Sequence, residues 1–310
     1  MAGWAGQTSG RESGRSQGGG YERYALYGDP NDRGTAVLAM VLSLKGLAVD
    51  FIEENASLAL LLATRAGSDE GPYLRTPEGF VLSDPHAILE WLERVHPEPV
   101  LLPRVPVRRV CARLLEDWIE LWLPHWPRRS WATLERLGQH LDAAGFLLGP
   151  SPMRVDWLLA AWLETEVLPH EDARQYLART APRLVSLGQD LLASAHRTVD
   201  PREEEDVLPV SLLAVLSEVG ADYHAYLTLN HQALKDHEDR VLLDLGLGKR
   251  PLPVQEECEI RRIAIGRELG TLARPDRRRV SEMLEPLGVW HALTLPPALE
   301  EVDPADPLAL

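Results

Sequence analysis

The order of local patterns between Tyr21 and Pro103 limits the fold most strongly. Two strand-like runs, RYALYG and LAVDFIEE, flank GTAVLAMVLSLKG, whose apolar spacing predicts a helix that ends at Gly46. SLALLLATRAG predicts a second helix, and PYLRTP and GFVLS on either side of PEG predict a hairpin. A helix over DPHAILEWLERVHPE follows. The order β-α-β-α-β-β-α, with a parallel crossover and then a hairpin, predicts a small α/β sandwich.

The rest of the chain has mainly helical patterns. A proline-broken connection, LLPRVPV, precedes helical spacing from Arg108 to His196, and the acidic linker DPREEEDVLP separates this stretch from a further helical block. The N-terminus is rich in Gly, Ser, Arg and Gln, which is typical of disorder. We therefore predict five segments: a disordered tail (1–20), an α/β domain (21–102), a helical domain (103–198), a helical extension (208–294) and an acidic disordered tail (295–310).

Charge and cysteine content exclude several functions. A net charge of −15 disfavours nucleic-acid and anionic-membrane partners, and no apolar run reaches the length of a membrane span. Cys111 and Cys258 are too few for a disulfide framework or a multi-cysteine zinc site. The histidines of the extension are spaced seven and six residues apart, so they do not share a helical turn and no metal site is predicted. Without a signal-like apolar stretch, the sequence predicts a cytoplasmic protein.

Three segments in order carry a resemblance to a known family. They are LYGDPNDRGTAVLAMVLSLKGLAVDF, GPYLRTPEGFVLSDPHAILEWLERVHPEPVLLP and GFLLGPSPMRVDWLLAAWL. They resemble the first strand and helix, the cis-proline region with the third helix, and the segment before a buried helix in the glutathione transferase superfamily, where Asp156 matches a characteristic acid. The resemblance implies a thioredoxin-like α/β N-terminal domain and an all-helical second domain. The extension resembles one in some bacterial transferase-like proteins.

The same resemblance implies glutathione as co-substrate and a glutathione-binding segment at Gly71–Pro72, predicted to be cis. In the family this segment contacts the cysteinyl part through its main chain; alternatively, Pro72 only shapes the entry to a strand. At the γ-glutamyl end the family has an acid or Gln followed by Ser, where this chain has Asp84 and Pro85. Proline offers neither hydroxyl nor N–H, so both donors are lost. The N–H groups of His86 and its neighbour remain, and Asp84 is also a good helix cap.

The thiol-activating position is irregular as well. The residue that the family holds as Ser or Cys falls on Asp32, and a carboxylate opposes ionisation of a nearby thiol. The alternative is that Asp32 or Asp29 caps the first helix. Tyr27 is a nearby hydroxyl that fits either Tyr-type activation or the core, and Asn31 and Thr35 are weaker candidates for a catalytic role.

Trp118, Trp122 and Trp126 recur at four-residue spacing, close to where the family has its electrophile pocket. The alternative is that this aromatic stripe is core packing.

Two functions remain open from sequence. The first is a glutathione transferase-like enzyme that conjugates or reduces a small electrophile; glutathione-dependent isomerisation is a further variant. The second is a catalytically degenerate binding or scaffold protein with an unknown protein partner, which Asp32, Pro85 and the extension favour. The resemblance also implies a homodimer.

Overall fold

The structure is a computed structural model that describes residues 21–53, 56–125, 130–194, 205–244, 246 and 248–299. It divides into two compact units. The first contains the described residues of Met1–Leu102 and Ser151–Val199, and the second contains those of Pro103–Pro150 and Asp200–Leu310. The predicted tail 1–20 and Trp126 lie outside the described residues.

The first unit is built on a four-stranded sheet with three helices between or after its strands. The elements are β1 (Tyr24–Tyr27), α1 (Arg33–Leu44), β2 (Val49–Ile52), α2 (Ala56–Ala66), β3 (Tyr73–Arg75), β4 (Val81–Leu82) and α3 (Pro85–Val95). The strand order is β2-β1-β3-β4, in which β1 pairs parallel with β2 and antiparallel with β3. Strands β3 and β4 form the predicted hairpin. The β-α-β-α-β-β-α prediction is therefore confirmed.

Helices cover both faces of this sheet. On one face Ala25, Tyr27, Leu62 and Tyr73 form a buried cluster that includes the inner side of α2. Helix α1 packs against α3 and against α6 (Arg154–Trp162). Helix α1 ends as its sequence predicts, because Gly46 adopts a left-handed φ of 66° that favours glycine.

The first unit also contains the later part of the helical domain. Helix α6 continues into a π-helical turn at Leu163–Val167, followed by α7 (Glu171–Thr180) and α8 (Pro182–Ser194). Asp156, the buried third residue of α6, caps the start of this helix, since its Oδ2 accepts from the N–H of the N-cap residue Met153 at 2.8 Å. Helix α8 packs against both α6 and α7.

The second unit combines the first helices of the helical domain with the extension. Its elements are α4 (Pro106–Asp117), a π-helical turn (Trp118–Trp122), a 3₁₀ turn (Leu123–His125), α5 (Ser130–Ala144), α9 (Val210–Val219), a π-helical turn (Gly220–His224), α10 (Ala225–Lys235), β5 (Arg240–Asp244), β6 (Lys249–Pro253), α11 (Glu256–Thr271), α12 (Arg274–Leu284), a 3₁₀ turn (Glu285–Leu287) and α13 (Trp290–Leu293).

The extension packs on the preceding helices, as the amphipathic pattern of its first segment predicts. Helix α4 lies against α11 and α12, and α5 lies against α9. Ion pairs add to this packing: Arg261 of α11 lies 2.5 Å from Glu120 and 3.6 Å from Asp117. The described part of the extension is therefore joined to α4 and α5 in one unit.

The extension differs from the prediction in one element, because it is not entirely helical. Strands β5 and β6 pair antiparallel, and Val241 and Leu243 are buried on alternate positions of β5. The period-2 burial is the strand signature, and the Gly246 and Gly248 positive φ angles turn the chain. The sequence analysis missed this alternation of buried and exposed positions, because VLLDLGL has apolar residues at consecutive positions.

The start of the predicted acidic tail is also ordered. Glu259, Arg262 and His231 form a buried charged cluster between α10 and α11. Arg262 donates to the Leu295 and Pro296 carbonyls, and Glu259 accepts from the Ala298 N–H at 2.9 Å. Residues 295–298 are therefore held by this cluster, and the disorder prediction is wrong for them.

Candidate ligand site at the first and third helix N-termini

Two helix N-termini and the Gly71–Pro72 peptide meet at one corner of the first unit. A Cβ added at Gly34 would lie 2.5 Å from Pro85 Cγ and 3.2 Å from Pro72 Cδ. A Cβ at Gly28 would lie 3.1 Å from Pro72 Cβ. The beginning of α1, the beginning of α3 and the start of β3 are therefore in close contact. The Gly71–Pro72 bond is cis, as predicted.

Asp32 caps α1. Its Oδ2 accepts from the Thr35 backbone N–H at 2.8 Å and from the Thr35 hydroxyl at 3.0 Å. The cap alternative of the sequence analysis is thus confirmed for Asp32. Because the Thr35 hydroxyl donates its only proton to Asp32, it has none to donate to a ligand thiolate.

The side chains of Asn31 and Tyr27 form hydrogen bonds with other residues of the protein. Asp29 Oδ1 accepts from the backbone N–H and the side-chain amide of Asn31, at 2.8 and 3.0 Å, in an exposed turn. Tyr27 is buried in the sheet cluster below α2, and its hydroxyl accepts from Arg75 Nε at 3.3 Å. This position matches the core alternative for Tyr27, and its catalytic role stays a prediction.

Asp84 begins α3 in an uncommon backbone conformation. Its φ is 66°, in the left-handed region that non-glycine residues seldom adopt, and its Oδ1 accepts from the His86 N–H at 2.9 Å. The cap prediction is confirmed, and the His86 N–H that we expected to face an anion is taken by Asp84. Strained backbone conformations of this kind are concentrated at ligand sites. The positive φ of Asp84 therefore supports a ligand site at this corner. Pro85 occupies the first helical position without an N–H.

Trp118 and Trp122 belong to the core of the second unit. Both are buried on the π-helical turn. The centroid of the Trp122 ring lies 5.6 Å from that of the Tyr223 ring and 5.2 Å from that of the Tyr226 ring. This arrangement is the core packing that the sequence analysis gave as the alternative for these tryptophans. A role of either residue in an electrophile pocket stays a prediction.

Neither cysteine supplies a reactive thiol. Burial raises the pKa of Cys111 to about 12, and burial is also the main reason that the pKa of Cys258 rises to about 12. Both thiols are therefore protonated at neutral pH. A thiol reaction at this protein needs a thiol that the ligand brings.

The sequence analysis missed Arg33, the first residue of α1. Its Nη1 lies 3.5 Å from Glu166 Oε1 on the π-helical turn after α6, and this buried atom makes no hydrogen bond to a described residue. The sequence could have pointed to Arg33, because a positive charge is unfavourable in the first turn of a helix and its presence there indicates another role.

Among the described residues, no three His, Cys, Asp or Glu side chains group to hold a metal ion. No described helix combines the length and the apolar character of a membrane span.

The strand order, the two helix N-termini at Pro72 and the Asp156 cap on the helix that packs against α1 decide the fold. The chain has the glutathione transferase fold. No protein-family model matches it. It is 26% identical over 174 residues to "Probable maleylacetoacetate isomerase 1" of Drosophila melanogaster, a match that covers 46% of this chain and 68% of that protein.

Solved structures similar to the chain include a glutathione transferase and a maleylacetoacetate isomerase. A Methylobacterium radiotolerans glutathione transferase in complex with glutathione sulfonate is 23% identical, with a TM-score of 0.44 over 57% of this chain and 94% of that one. The Anaeromyxobacter dehalogenans maleylacetoacetate isomerase with bound dicarboxyethyl glutathione is 25% identical, with a TM-score of 0.40 over 60% and 98% of the two chains.

Proposed function

We propose that the protein is a glutathione transferase-like protein that binds glutathione at the corner formed by Gly71, Pro72, Asp84 and Pro85. The observation that carries this proposal is the meeting of the α1 and α3 N-termini at Pro72. Asp32 and Asp84 take the Thr35 and His86 N–H groups, so the attraction of this corner for the two carboxylates and the ionisable thiol of glutathione comes from the helix dipoles. The bound ligands of the similar structures support the same co-substrate.

The chemistry follows from what the corner provides. The protein's own thiols are protonated and buried, so the nucleophile is the glutathione sulfur. Main-chain groups at Gly71–Pro72 hold the cysteinyl part, and the sulfur then attacks or reduces a small electrophile. Retention on immobilised glutathione together with turnover of chlorodinitrobenzene tests this function. We expect both, and the absence of both would overturn it.

A catalytically degenerate protein is the second candidate, and two observations favour it. The carboxylate of Asp32 stands where the family has a hydroxyl or thiol, and its Oδ2 is already bonded twice by Thr35. Pro85 removes two donors from the γ-glutamyl end. Retention on glutathione without turnover, together with recovery of a specific protein partner by the intact chain, would favour this candidate.

We further propose that the protein is a homodimer in the cytoplasm. Leu60 and Leu61 of α2 and Phe80 of the β3–β4 turn are large apolar side chains that are 71, 55 and 69% exposed. Arg65 of α2 donates to the Gly79 carbonyl, which ties α2 to this turn and places the three on neighbouring segments. Exposed apolar groups of this kind mark an interface. Free cysteines at positions 111 and 258 are in keeping with a reducing compartment.

A further inference from the structure

The hydrogen-bond pattern of the β5–β6 pair determines which main-chain groups lie on its outer edges. Along an antiparallel pair, bonded and non-bonded residue pairs alternate, and the N–H and C=O groups of a non-bonded pair point away from the partner strand. The Val254 N–H donates to the Asp239 carbonyl at 3.0 Å, so this pair is bonded and every second pair from it is bonded too. The non-bonded pairs, whose main-chain groups point to the outer edges, are Arg240–Pro253, Leu242–Pro251 and Asp244–Lys249.

The outer edge of β6 is blocked. Pro251 and Pro253 have no N–H, so these outward positions offer no donor to another strand. The outward carbonyl of Pro253 already accepts from the Tyr226 hydroxyl at 2.8 Å. Prolines on an edge strand are a known protection against pairing with a second chain. Another strand therefore cannot extend the pair on the β6 side.

The outer edge of β5 is open. Outside the β5–β6 pair, no described residue makes a main-chain hydrogen bond to Arg240, Leu242 or Asp244. Their side chains are exposed on one face of the strand, and Leu242 is 61% exposed, whereas Val241 and Leu243 are buried on the opposite face. An edge of this kind can accept a further strand, because its N–H and C=O groups have the spacing of a sheet.

The charges along this edge are complementary to a second copy of the same strand. Arg240 and Asp244 have opposite charges and are equally far from Leu242 in the sequence. When two β5 strands pair antiparallel about Leu242, each Arg240 lies opposite the Asp244 of the other copy, and the two Leu242 side chains meet. A register shifted to the next bonded position, in either direction, sets Leu242 opposite a charged residue and separates both ion pairs. The sequence of β5 thus favours one register of self-pairing.

We propose that the outer edge of β5 is a surface through which two copies of the chain pair, with their β5 strands antiparallel about Leu242 in a sheet of order β6-β5-β5-β6. The contact is isologous, since each copy contributes the same strand. It belongs to the extension, and it depends neither on glutathione binding nor on the apolar surface of the first unit that contains Phe80. One strand from each copy buries little surface, so the pairing is weak and forms only at high protein concentration.

The test is sedimentation equilibrium of the full-length chain at rising protein concentration and low salt, which preserves attraction between exposed charges. All proteins carry Phe80→Glu, so that the apolar surface of the first unit does not contribute. Arg240→Asp and Asp244→Arg are compared with the parent, and Arg267→Asp is the control, a charge reversal at an exposed position of α11. Either reversal at the β5 edge places like charges opposite each other when the variant pairs with itself.

We expect the parent and Arg267→Asp to associate equally, and each β5 reversal alone to have a dissociation constant about tenfold higher or more. An equal mixture of Arg240→Asp and Asp244→Arg should recover the association, because opposite charges face each other again in the mixed pair. If Phe80→Glu does not fold, the same comparison is made with otherwise wild-type chains, in which the pairing joins dimers into larger assemblies.

Two results would overturn the proposal. One is a parent chain that shows no association up to its solubility limit. The other is a mixture of the two reversals that associates no better than each reversal alone, with circular dichroism showing that both are folded. Retention on immobilised glutathione is measured on the same proteins, and we expect it to be equal in all of them, so a failure of the β5 pairing is distinguishable from a failure of the proposed function.

Discussion

At the scale of single residues, Pro85 is the residue that we expect to limit how tightly the proposed site holds a carboxylate. It stands at the first helical position of α3 and presses its ring towards Gly34. We predict that Pro85→Ser strengthens glutathione binding, because serine supplies a hydroxyl and an N–H to the ligand carboxylate. Each charge-assisted hydrogen bond contributes roughly 1.5–3 kcal/mol, so the dissociation constant should fall about tenfold or more. Calorimetric titration measures it.

The matched control for this substitution is Pro77→Ser in the β3–β4 turn, which should leave the dissociation constant unchanged. An equal or weaker affinity of Pro85→Ser would mean that the α3 N-terminus does not receive the ligand carboxylate.

His224 gives the second unit a pH-dependent stability. Burial lowers its pKa to about 3, against a smaller opposing effect of the Val289 backbone. Between the ordinary value of 6.5 and about 3, the unfolded state binds a proton that the folded state does not, so stability falls as pH falls. The slope is about 1.4 kcal/mol per pH unit within that range.

The prediction is that His224→Gln removes this contribution from the pH dependence of urea unfolding. His140, whose pKa burial also lowers, is present in both proteins and cancels in the comparison. Parallel stability curves for wild type and His224→Gln between pH 6.5 and pH 4 would show that His224 is not buried as a neutral group.

At the scale of elements, α4 receives its cap from a distant part of the chain. Its N-cap residue Val105 has no capping side chain, and Asp206 Oδ1 instead accepts from the Val107 and Arg108 N–H groups at 2.9 and 3.1 Å. Asp206 Oδ2 accepts from Arg279 of α12 at 2.7 Å. Asp206, within the acidic linker, thus fixes the linker to both α4 and α12.

We predict that Asp206→Ala lowers the free energy of unfolding by about 2 kcal/mol, since it leaves the α4 N-terminus without an acceptor. Urea denaturation measures the loss. Asp239→Ala, an exposed aspartate in the same unit, should change stability by less than about 0.5 kcal/mol. Equal stabilities of the two variants would contradict the capping role.

The sequence predicted those elements whose signals are local. Helix α1 begins at an Asp cap and ends near a glycine, and α3 begins at Asp84 and Pro85. Neighbouring residues in the sequence therefore predicted both ends of α1 and the start of α3. The π-helical turns and the cap of α4 depend on tertiary contacts between distant residues, and no local pattern reports them. At the site, the caps were predictable, whereas the contact of Gly34 with Pro85 and the pairing of Arg33 with Glu166 require the packed helices.

At the scale of the whole molecule, the extension covers part of the helices that precede it. Most residues of α4 are buried in the second unit, including the charged Glu116 and Asp117. The self-association that we propose therefore uses other surface, and Phe80 with Leu60 and Leu61 offers it on the first unit.

We predict that Phe80→Glu converts the dimer into a monomer, because a carboxylate would be buried in an apolar contact. Light scattering should give twice the chain mass of 34.6 kDa for wild type and 34.6 kDa for the variant. Glu78→Gln, in the same turn, should remain dimeric. A wild-type mass equal to that of one chain would reject the dimer.

The central claim is that the folded protein binds glutathione at the corner where α1, α3 and Pro72 meet. The most direct measurement is the thermal midpoint of the full-length protein at rising glutathione concentration, because a ligand of the native state stabilises it by RT ln(1 + [L]/Kd). We predict a midpoint that rises continuously with the logarithm of glutathione concentration, and a smaller rise for Gly34→Val, whose side chain would fill the corner. A midpoint that stays constant up to a large excess of glutathione would contradict the account.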